Sequence, residues 1–430
     1  MKKVLIITYY WPPAGGAGVQ RWLKLSKYLP DSGWMPVIYT PEVAESPVDD
    51  PTLIADVRED TEVIRRPIWE PYHIYKWLTG KKKSERVNAG FLHEGKPPVL
   101  RERLSVWIRG NFLIPDPRCF WIRPSVRYLS GYLKDHPVDA IISTGPPHSM
   151  HMIAMKLKRK TGIPWVADFR DPWTKIDFYH RLQLTHWADT RHRKLERQVL
   201  GTADAVLTIG WNSAGDLRQL GAANPMVVPN GYDPADFSEL PPFRYEKFTI
   251  THAGVMNDDR NPKLLWEALA EMVSQREEFR KDLVIRLIGK VDFTVKESLN
   301  KAGLTSNTEI IPYLTHHEAV REMAKSAVLL LSINQSPTAP GILTGKLFEY
   351  LAVGRPILCV SPVQGDSERV LSETRRGVCA GYPGGPSLKG LVEKLYSDFQ
   401  DHLLAVPGEP PANYTRSGQA ATVAGILDRL

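Results

Sequence analysis

The sequence predicts an α/β protein with two doubly wound parallel-sheet domains, and three observations lead to that fold class. Short apolar runs rich in β-branched residues alternate with amphipathic segments along most of the chain, as expected for buried parallel strands covered by helices on both faces. Turn residues and prolines interrupt this alternation between residues 229 and 248, after which it begins again. The length of 430 residues fits two or three domains.

The composition indicates a folded globular protein with an anionic partner. Hydrophobic residues make up 43% of the chain and charged residues 24%, which excludes a disordered, collagen-like or disulfide-scaffold protein. The 55 Lys and Arg residues outnumber the 48 Asp and Glu residues, giving a net charge of +7. Such a charge suits a nucleotide, a nucleic acid or a membrane surface.

Cysteine usage and hydropathy predict a cytoplasmic protein. The three cysteines form no C-x-x-C pair, so we expect neither a disulfide framework nor a zinc ribbon. The N-terminal MKKVLII is interpreted as a first strand, because Pro12 and Pro13 follow too early for a signal peptide. No apolar run approaches the roughly 20 residues of a spanning helix, so any membrane contact is expected to be peripheral.

The first domain is predicted over residues 1–232 and opens with a strand, a glycine loop and a helix. The loop Gly15–Gly18 is followed by the amphipathic segment VQRWLKLSKYLPDSG. The predicted strands of this domain are Val4–Thr8, Val37–Thr40, Ala140–Thr144, Trp165–Asp168 and Ala205–Ile209.

The second domain is predicted over residues 233–410. Its apolar runs are FTITHAGV, LVIRLIGK, EIIPYL, AVLLLSI and PILCV, with helical segments between them. A connector rich in Pro and Gly then leads to a terminal helix, assigned to residues 411–430.

Residues 65–135 are predicted to form an insert in the first domain. This stretch holds 15 Lys and Arg residues against 6 Asp and Glu residues, an excess of +9. Aromatic residues precede a lysine run within it, a mixture that suits an anionic membrane interface. A solvated surface insertion with partly buried aromatics remains the alternative. The residues concerned are Trp69, Tyr72, Tyr75, Trp77, Lys81, Lys82 and Lys83.

The first glycine loop is a candidate anion site, because it opens a helix whose free N–H groups and dipole favour negative charge. It does not match a dinucleotide fingerprint, since Arg21 occupies the third glycine position and Glu42 is poorly placed to bind a ribose. A simple tight turn is the alternative.

A second candidate is PGILTGKLFEYLAVGRPIL, residues 340–358. Free N–H groups near Leu347 and the charge of Lys346 would suit a phosphate, and the carboxylate of Glu349 would suit a vicinal diol. Together they predict a sugar-nucleotide site, although Lys346 and Glu349 could instead form a surface pair at i, i+3. A third candidate is HAGVMNDDRNPKLL, where Arg260 could bind a diphosphate bidentately or merely be solvated.

With these motifs in order, the chain resembles the retaining family four glycosyltransferases of GT-B fold. The resemblance runs from GGAGVQ through PNGYD and GKLFEYLAVGRPI to the last helix, nearly the whole chain. It implies two facing doubly wound domains, a nucleotide-sugar donor bound mainly by the C-terminal domain, and a last helix that crosses back to the N-terminal domain.

The resemblance also implies roles for individual residues. Gly16 and Gly18 would approach the donor phosphate or sugar, Arg260 falls near the family's phosphate-binding Lys after Gly254, and Glu349 matches the second Glu of the family's E-x7-E motif. Two positions depart from the pattern. The basic residue expected directly after the glycine is Val255, so Lys263 or Lys346 would have to replace it, and the first motif Glu is Gly341, which leaves the donor sugar open.

Four polar residues follow strands of the first domain, where ligands of such sheets bind. The resemblance places His148 against the transferred sugar. Asp168, Arg170 and Asp171 could orient the acceptor or a leaving phosphate, or they could form a structural ion-pair network. The catalytic candidates are His148, Asp168 and Arg260. His148 and His151 lack a further ligand pair and no D-x-D occurs, so we expect no metal and no other cofactor.

The expected function is transfer of a sugar, with retention, from a nucleoside diphosphate donor to a glycan or lipid-linked acceptor in bacterial cell-surface polysaccharide or glycoconjugate synthesis. The expected partners are this donor, this acceptor and a peripheral anionic membrane, without nucleic acid. Two alternatives remain: a sugar-nucleotide epimerase of the same fold, and a non-enzymatic module that binds anionic surfaces through residues 65–135.

Overall fold

The computed structural model describes residues 1–46, 49–70, 100–176, 179–238, 240, 245–362, 364–381, 387–404, 408 and 411–430. Within these residues the chain forms two compact units, each with one parallel sheet, so the predicted fold class is confirmed. Unit 1 comprises Met1–Pro229 and Ser417–Leu430, and unit 2 comprises Asn230–Arg416.

The unit boundaries lie a few residues from the predicted ones because two loops pair within unit 2. The N–H of Tyr232 donates to the carbonyl of Tyr414 (3.1 Å), and the N–H of Arg416 donates to the carbonyl of Tyr232 (2.9 Å). This pairing holds the predicted linker and the segment before the last helix in the same unit.

Unit 1 contains a seven-stranded parallel sheet in the order β3-β2-β1-β4-β5-β6-β7. Its strands are β1 (Lys2–Ile7), β2 (Trp34–Pro41), β3 (Glu62–Arg66), β4 (Ala140–Gly145), β5 (Trp165–Phe169), β6 (Ala205–Thr208) and β7 (Pro225–Val227). Its helices are α1 (Ala17–Tyr28), α2 (Leu100–Phe112), α3 (Ile122–Asp135), α4 (Ser149–Thr161), α5 (His186–Thr202), α6 (Trp211–Gln219) and α14 (Arg416–Leu427), of which α14 begins at the last residue of unit 2.

The continuous apolar run of β1 follows from burial of both sheet faces. Leu5 and Ile7 pack in the core that holds α3, α4 and α5. Val4 and Ile6 point to the opposite face and pack with α1 and the last helix. Because side chains of a strand alternate between faces, both sets must be apolar.

Both ends of the predicted insert belong to the sheet architecture of unit 1. Arg65 and Arg66 end β3 and pair with Thr40 and Pro41 of β2. At the other end, α3 buries one side against the sheet through residues such as Leu129. The edge strand was missed because its sequence, EVIRR, has only two apolar residues. Trp69 is exposed and contacts Phe120. Tyr72, Tyr75, Trp77, Lys81, Lys82 and Lys83 lie outside the described residues.

Unit 2 contains a six-stranded parallel sheet in the order β10-β9-β8-β11-β12-β13. Its strands are β8 (Phe248–Ala253), β9 (Leu283–Ile288), β10 (Thr308–Ile311), β11 (Val328–Ser332), β12 (Ile357–Val360) and β13 (Gly377–Ala380). Its helices are α7 (Lys263–Gln275), α8 (Glu277–Asp282), α9 (Phe293–Lys301), α10 (His316–Ala324), α11 (Gly345–Val353), α12 (Asp366–Thr374) and α13 (Leu388–Gln400).

Both sheets reverse their direction of winding beside the first strand of the unit, so β1 and β4 in unit 1 and β8 and β11 in unit 2 flank a switch point. Loops after the carboxyl ends of these strands form the usual ligand-binding edge of such sheets. No helix in the described part of the chain has both the length and the apolar character required to cross a bilayer.

Helix α14 completes the core of unit 1 on the face that carries α1. Its side chains Ala420, Val423, Ala424, Ile426 and Leu427 are buried in one cluster with Val4 and Ile6. The helix therefore covers apolar sheet surface that would otherwise face water.

We expect Val423→Asp to destabilise unit 1 by about 3 kcal/mol or more, because a carboxylate would enter an apolar core without a partner. The matched control Ala421→Asp places the same charge on the exposed side of the helix and should change stability by less than about 0.5 kcal/mol. Calorimetric unfolding of both variants checks this, and equal melting temperatures would contradict the packing described here.

Candidate functional site

In unit 2, a glycine directly after β8 lets a lysine side chain approach the backbone. Gly254 has φ +106°, and a Cβ built there would lie 2.7 Å from Nζ and 2.6 Å from Cε of Lys346. Any other residue at position 254 would be strained in its backbone and would collide with this lysine. Gly289, directly after β9, also has φ +106°, and a Cβ built there would lie 3.1 Å from the carbonyl oxygen of Gly254. Sequence reasoning did not single out Gly289, although its position directly after a strand was a usable signal.

A buried histidine holds the Lys346 amine in this place. Nδ1 of His252 lies 3.0 Å from the carbonyl oxygen of Leu330, which can only accept, so Nδ1 carries the proton. Nε2 therefore accepts from Nζ of Lys346 at 3.1 Å. Burial, followed by the charge of Lys346, keeps the pKa of His252 well below its ordinary value, which preserves the neutral acceptor. His252 was not predicted as a site residue.

The same surroundings perturb Lys346 itself. Burial and the nearby charge of Arg260 lower the pKa of Lys346 to about 7, while Glu349 opposes the shift. Of the two replacements that the sequence allowed for the missing basic residue after Gly254, only Lys346 lies against this glycine. Lys263 is the exposed first residue of α7.

Arg260 is held beside this group by side chains and carbonyls rather than by a carboxylate. Its Nε donates to Oδ1 of Asn334 (2.5 Å), and its Nη1 donates to the carbonyl of Val255 (3.3 Å). The hydroxyl of Ser332 donates to the backbone carbonyl of Arg260 (2.7 Å). Val255, which replaces a basic residue of the family pattern, thus contributes its backbone to orient the remaining arginine.

The start of α11 offers amide groups to an anion. The N–H of Leu347 itself donates to the carbonyl of Thr344 (3.2 Å), and the predicted role of the N–H groups near Leu347 stays a prediction. The free N–H groups of a first helical turn precede it and belong to Gly345 and Lys346. Oγ1 of Thr344 is buried and has no hydrogen-bond partner among the described residues.

Glu349 lies one turn further along α11 among several charges of unit 2. Burial raises the pKa of Glu349, while the charges of His316 and Lys346 oppose this rise. The nearby charge of Asp236 also favours the rise, and that of Arg416 also opposes it. Gly341 lies in a short 3-10 turn before the helix, Ala339–Gly341, and brings no carboxylate to the position of the first motif Glu.

In unit 1, the glycine loop before α1 is shaped by two glycines with different requirements. Gly16 has φ +91°, a conformation that side chains with a Cβ rarely adopt. Gly18 is needed for space, because a Cβ there would lie 3.0 Å from the ring of Tyr10 and 3.2 Å from Nη1 of Arg170. The loop therefore packs tightly against the residues that follow β5.

Arg170 joins this loop to the loop after β4. Its Nη1 donates to the carbonyl of Gly18 (2.6 Å), and its Nη2 donates to the carbonyl of Pro146. The N–H of Arg170 also donates to the carbonyl of Gly145 (3.0 Å). These bonds indicate that Arg170 positions the two loops, and this corrects the prediction that it lies on the acceptor side. The neighbouring Asp171 is exposed.

Asp168 lies in a buried ion pair, which matches the structural alternative. Its two carboxylate oxygens accept from Nη2 and Nε of Arg21 (3.0 and 3.1 Å). Oδ2 also accepts from the indole of Trp22 (2.7 Å) and the hydroxyl of Thr144 (3.1 Å). Burial alone would raise the pKa of Asp168, but the charge and hydrogen bonds of Arg21 lower it below its usual range. A fully buried, fully hydrogen-bonded carboxylate cannot reach a substrate, so the predicted catalytic role of Asp168 is wrong.

His148 is a neutral imidazole at the start of α4. Its ring stacks on Trp173 with centroids 4.6 Å apart. Burial, and then the charges of His151, His192 and Arg170, keep its pKa well below the ordinary value. Nδ1 is buried and has no hydrogen-bond partner within the described ranges, so this atom can still bond to a ligand.

The described residues contain no group of three or more His, Cys, Asp or Glu side chains arranged to hold a metal ion. The ring of His151 is 5.8 Å from that of His148, and its Nδ1 bonds to the hydroxyl of Ser143 at 2.8 Å. Metal independence stays a prediction.

Comparison with known proteins identifies the family. A sequence profile described as glycosyl transferase 4-like domain matches residues 15–231, half of the chain. A sequence comparison with curated proteins gives no match. Among solved structures, the chain is similar to WaaG, a glycosyltransferase involved in lipopolysaccharide biosynthesis, with 15% identity, coverage of 99% of this chain and 95% of WaaG, and a TM-score of 0.53.

Two further structures share the fold. HepE from Anabaena, solved with UDP and glucose, is 13% identical, with coverage of 100% of this chain and 95% of HepE and a TM-score of 0.54. A variant of S. aureus TarM, solved with fondaparinux, α-GlcNAc-glycerol and UDP, is 10% identical, with full coverage of both chains and a TM-score of 0.56. The predicted family and GT-B fold are confirmed.

We expect Asp168→Asn to destabilise unit 1 by about 3 kcal/mol, because Arg21 would keep a buried charge without its counter-ion. Asp135→Asn, which changes an exposed carboxylate of α3 in the same way, should cost less than about 0.5 kcal/mol. Calorimetric unfolding distinguishes the two, and loss of activity in Asp168→Asn with an unchanged melting temperature would restore the catalytic assignment.

Proposed function

The chain belongs to the family of glycosyltransferases with a glycosyl transferase 4-like domain, and from this premise we propose a specific reaction for it. The protein transfers a sugar from a nucleoside diphosphate sugar, with retention of the anomeric configuration, to a glycan or lipid-linked acceptor of cell-surface polysaccharide or glycoconjugate synthesis. The observation that carries the proposal is the pair of cations, Lys346 and Arg260, at the end of β8 in unit 2.

This pair of cations suits a diphosphate. Burial lowers the pKa of both side chains, and the charge of Arg260 lowers the pKa of Lys346 further. Two cations held together gain most from an anion that contacts both, and a pyrophosphate has enough oxygens to do so. Amide groups at the start of α11 add donors in the same region.

The same groups would promote cleavage of the bond to the sugar. Negative charge develops on the departing diphosphate, so donors that are already oriented toward it lower the barrier. His252 and Asn334 provide that orientation for Lys346 and Arg260. We propose that no metal ion is required and that the departing phosphate accepts the proton of the acceptor hydroxyl.

Glu349 suits the ribose hydroxyls of the donor. It lies one helical turn beyond Lys346 on α11, and its carboxylate oxygens can accept from two adjacent hydroxyl groups. His148 of unit 1 would contact the transferred sugar, because its ring is neutral and its unpartnered Nδ1 can bond to a sugar hydroxyl. Gly16, which has open space beside it, would let ligand atoms approach the backbone, and Gly18 would contact the donor through its backbone N–H. Asp171 is the acceptor-side candidate that stays exposed.

We expect binding of nucleoside diphosphates such as UDP and GDP to weaken as the pH rises from about 7 to 9. Only the protonated Lys346 attracts the diphosphate, and its pKa of about 7 means that the charge is present below this pH and lost above it. The fall should approach tenfold per pH unit above the pKa. Lys346→Arg keeps its charge over this range and should remove most of the slope, as titration calorimetry can measure. An unchanged slope in this variant would count against the assignment.

Arg260→Ala and Glu349→Gln should each lower kcat/KM for donor turnover by about 100-fold or more, because each removes a contact that orients the donor or stabilises its leaving group. Lys263→Ala is the matched control, since it removes an exposed cation from the start of α7. Turnover of a panel of nucleotide sugars by the unmodified protein first identifies the donor. The anomeric configuration of the product, determined by NMR, tests retention.

Two other functions make different predictions. A sugar-nucleotide epimerase of the same fold would convert the donor to an epimer when incubated without an acceptor, whereas the proposed transferase would not. A non-enzymatic binding module would retain all its ligand binding when Arg260 and Glu349 are replaced, because its contacts would lie in residues 65–135.

A further inference from the structure

The outer surface of three helices in unit 1 carries almost only positive charge. Helices α3, α4 and α5 cover the same side of the sheet and share one core. Their exposed charged side chains comprise nine cations and one carboxylate, Asp135. The cations are Arg123, Arg127 and Lys134 on α3, Lys156, Arg159 and Lys160 on α4, and Arg191, Lys194 and Arg197 on α5. We call this surface the cationic face.

The other acidic residues of α5 do not neutralise this face. Glu196 is fully buried and accepts from the hydroxyl of Thr174 (2.5 Å). Asp189 is paired with Arg193 four residues along the helix (2.9 Å). Within the described residues, none of the nine cations forms an ion pair, although Lys158, between two of them, pairs with Asp204.

The opposite side of the same sheet shows the ordinary arrangement. Near α1, Lys24 and Lys27 both bind Asp56 (2.9 Å each). At the end of the last helix, Asp428 binds Lys2 (2.8 Å). These three lysines are thus paired with carboxylates, whereas the nine cations of the cationic face form no ion pair within the described residues.

Exposed aromatic side chains adjoin the cationic face at the start of α5. Trp187 in the first turn is 65% exposed, and Phe112 at the end of α2 is 66% exposed. Asn111 holds these two elements together, because its Oδ1 accepts from the N–H of Thr185 (2.7 Å) and its Nδ2 donates to the carbonyl of Gln183 (3.3 Å). Trp187 shares a helix face with Arg191 and Lys194, four and seven residues further on.

We propose that the cationic face docks on the surface of an anionic lipid bilayer, with Trp187 and Phe112 at the level of the headgroups. Lysine and arginine side chains reach the lipid phosphates, while exposed aromatic rings partition into the interface beside them. A bilayer fits better than a polyanion in solution, because the cations spread over three neighbouring helices and are accompanied by large exposed apolar rings. The cationic face belongs to unit 1 and the proposed donor site to unit 2, so vesicle binding and nucleotide binding can be tested separately.

The test is sedimentation of the full chain with vesicles of phosphatidylcholine alone or mixed with phosphatidylglycerol. We expect binding only to the mixed vesicles, and loss of that binding between about 0.1 M and 1 M salt, where the screening length falls from about 10 to 3 Å. Equal binding to neutral vesicles would overturn the proposal. So would tight binding to heparin or DNA in the absence of any binding to mixed vesicles.

Charge-reversal variants of equal net charge locate the surface. Arg191→Glu/Lys194→Glu/Arg197→Glu on α5 should weaken vesicle binding by about 100-fold or more. Lys296→Glu/Lys301→Glu/Lys394→Glu reverses three exposed cations of unit 2 and should change binding only several-fold. Equal losses in the two variants would overturn the assignment to this face.

Two further variants guard against misfolding and test the aromatic contribution. Arg191→Gln/Lys194→Gln/Arg197→Gln removes the charges without adding carboxylates, and it should retain the melting temperature and nucleotide binding of the parent while losing vesicle binding. Trp187→Ser should reduce the binding that persists at intermediate salt. Unchanged vesicle binding in the glutamine variant would sink the proposal.

Discussion

The approach of the Lys346 side chain to the backbone at Gly254 is the contact on which the candidate donor site depends. It requires a residue without a Cβ at the end of β8 and a backbone φ of +106°. It also requires a partner that keeps the amine in place without neutralising it, and a buried, neutral histidine supplies this. A carboxylate in the position of His252 would have paired with Lys346 and cancelled the charge that a diphosphate needs.

Unit 1 uses buried charge for a different purpose. The ion pair between Arg21 and Asp168 is closed to solvent and joins α1 to the end of β5. Arg170 then connects the glycine loop to the loop after β4 through backbone carbonyls. These bonds hold the loops that carry Gly16, Gly18 and His148, the groups of unit 1 proposed to contact a ligand. The chemistry of a charged residue thus depends on whether its hydrogen bonds are already satisfied within the protein.

The distribution of charge separates two tasks on the surface. In unit 2, cations cluster at the ends of strands, where an anionic small molecule can be surrounded. In unit 1, cations spread over the outer sides of α3, α4 and α5, where they can meet only an extended anionic surface. Net charge alone does not distinguish a compact cationic site from a broad cationic face.

The sequence by itself determined the alternation of strands and helices, the two parallel sheets and the family, and it located the three candidate loops. It could do so because burial of both sheet faces demands continuous apolar runs, and because glycines and prolines mark the loops between them. It missed β3, β7 and β13, which are short edge strands and carry too few apolar residues to stand out.

Tertiary structure decided which polar residues can act. From the sequence, Asp168 and Glu349 were both carboxylates near strand or helix ends, yet four hydrogen bonds occupy the first and the second stays available. Likewise, only the packing revealed His252, Asn334 and Arg21 as positioning residues, since their partners lie between about 70 and 150 positions away in the chain. Local pattern specifies secondary structure, whereas desolvation and long-range pairing, which depend on the folded chain, determine whether a charge is free to bind a substrate.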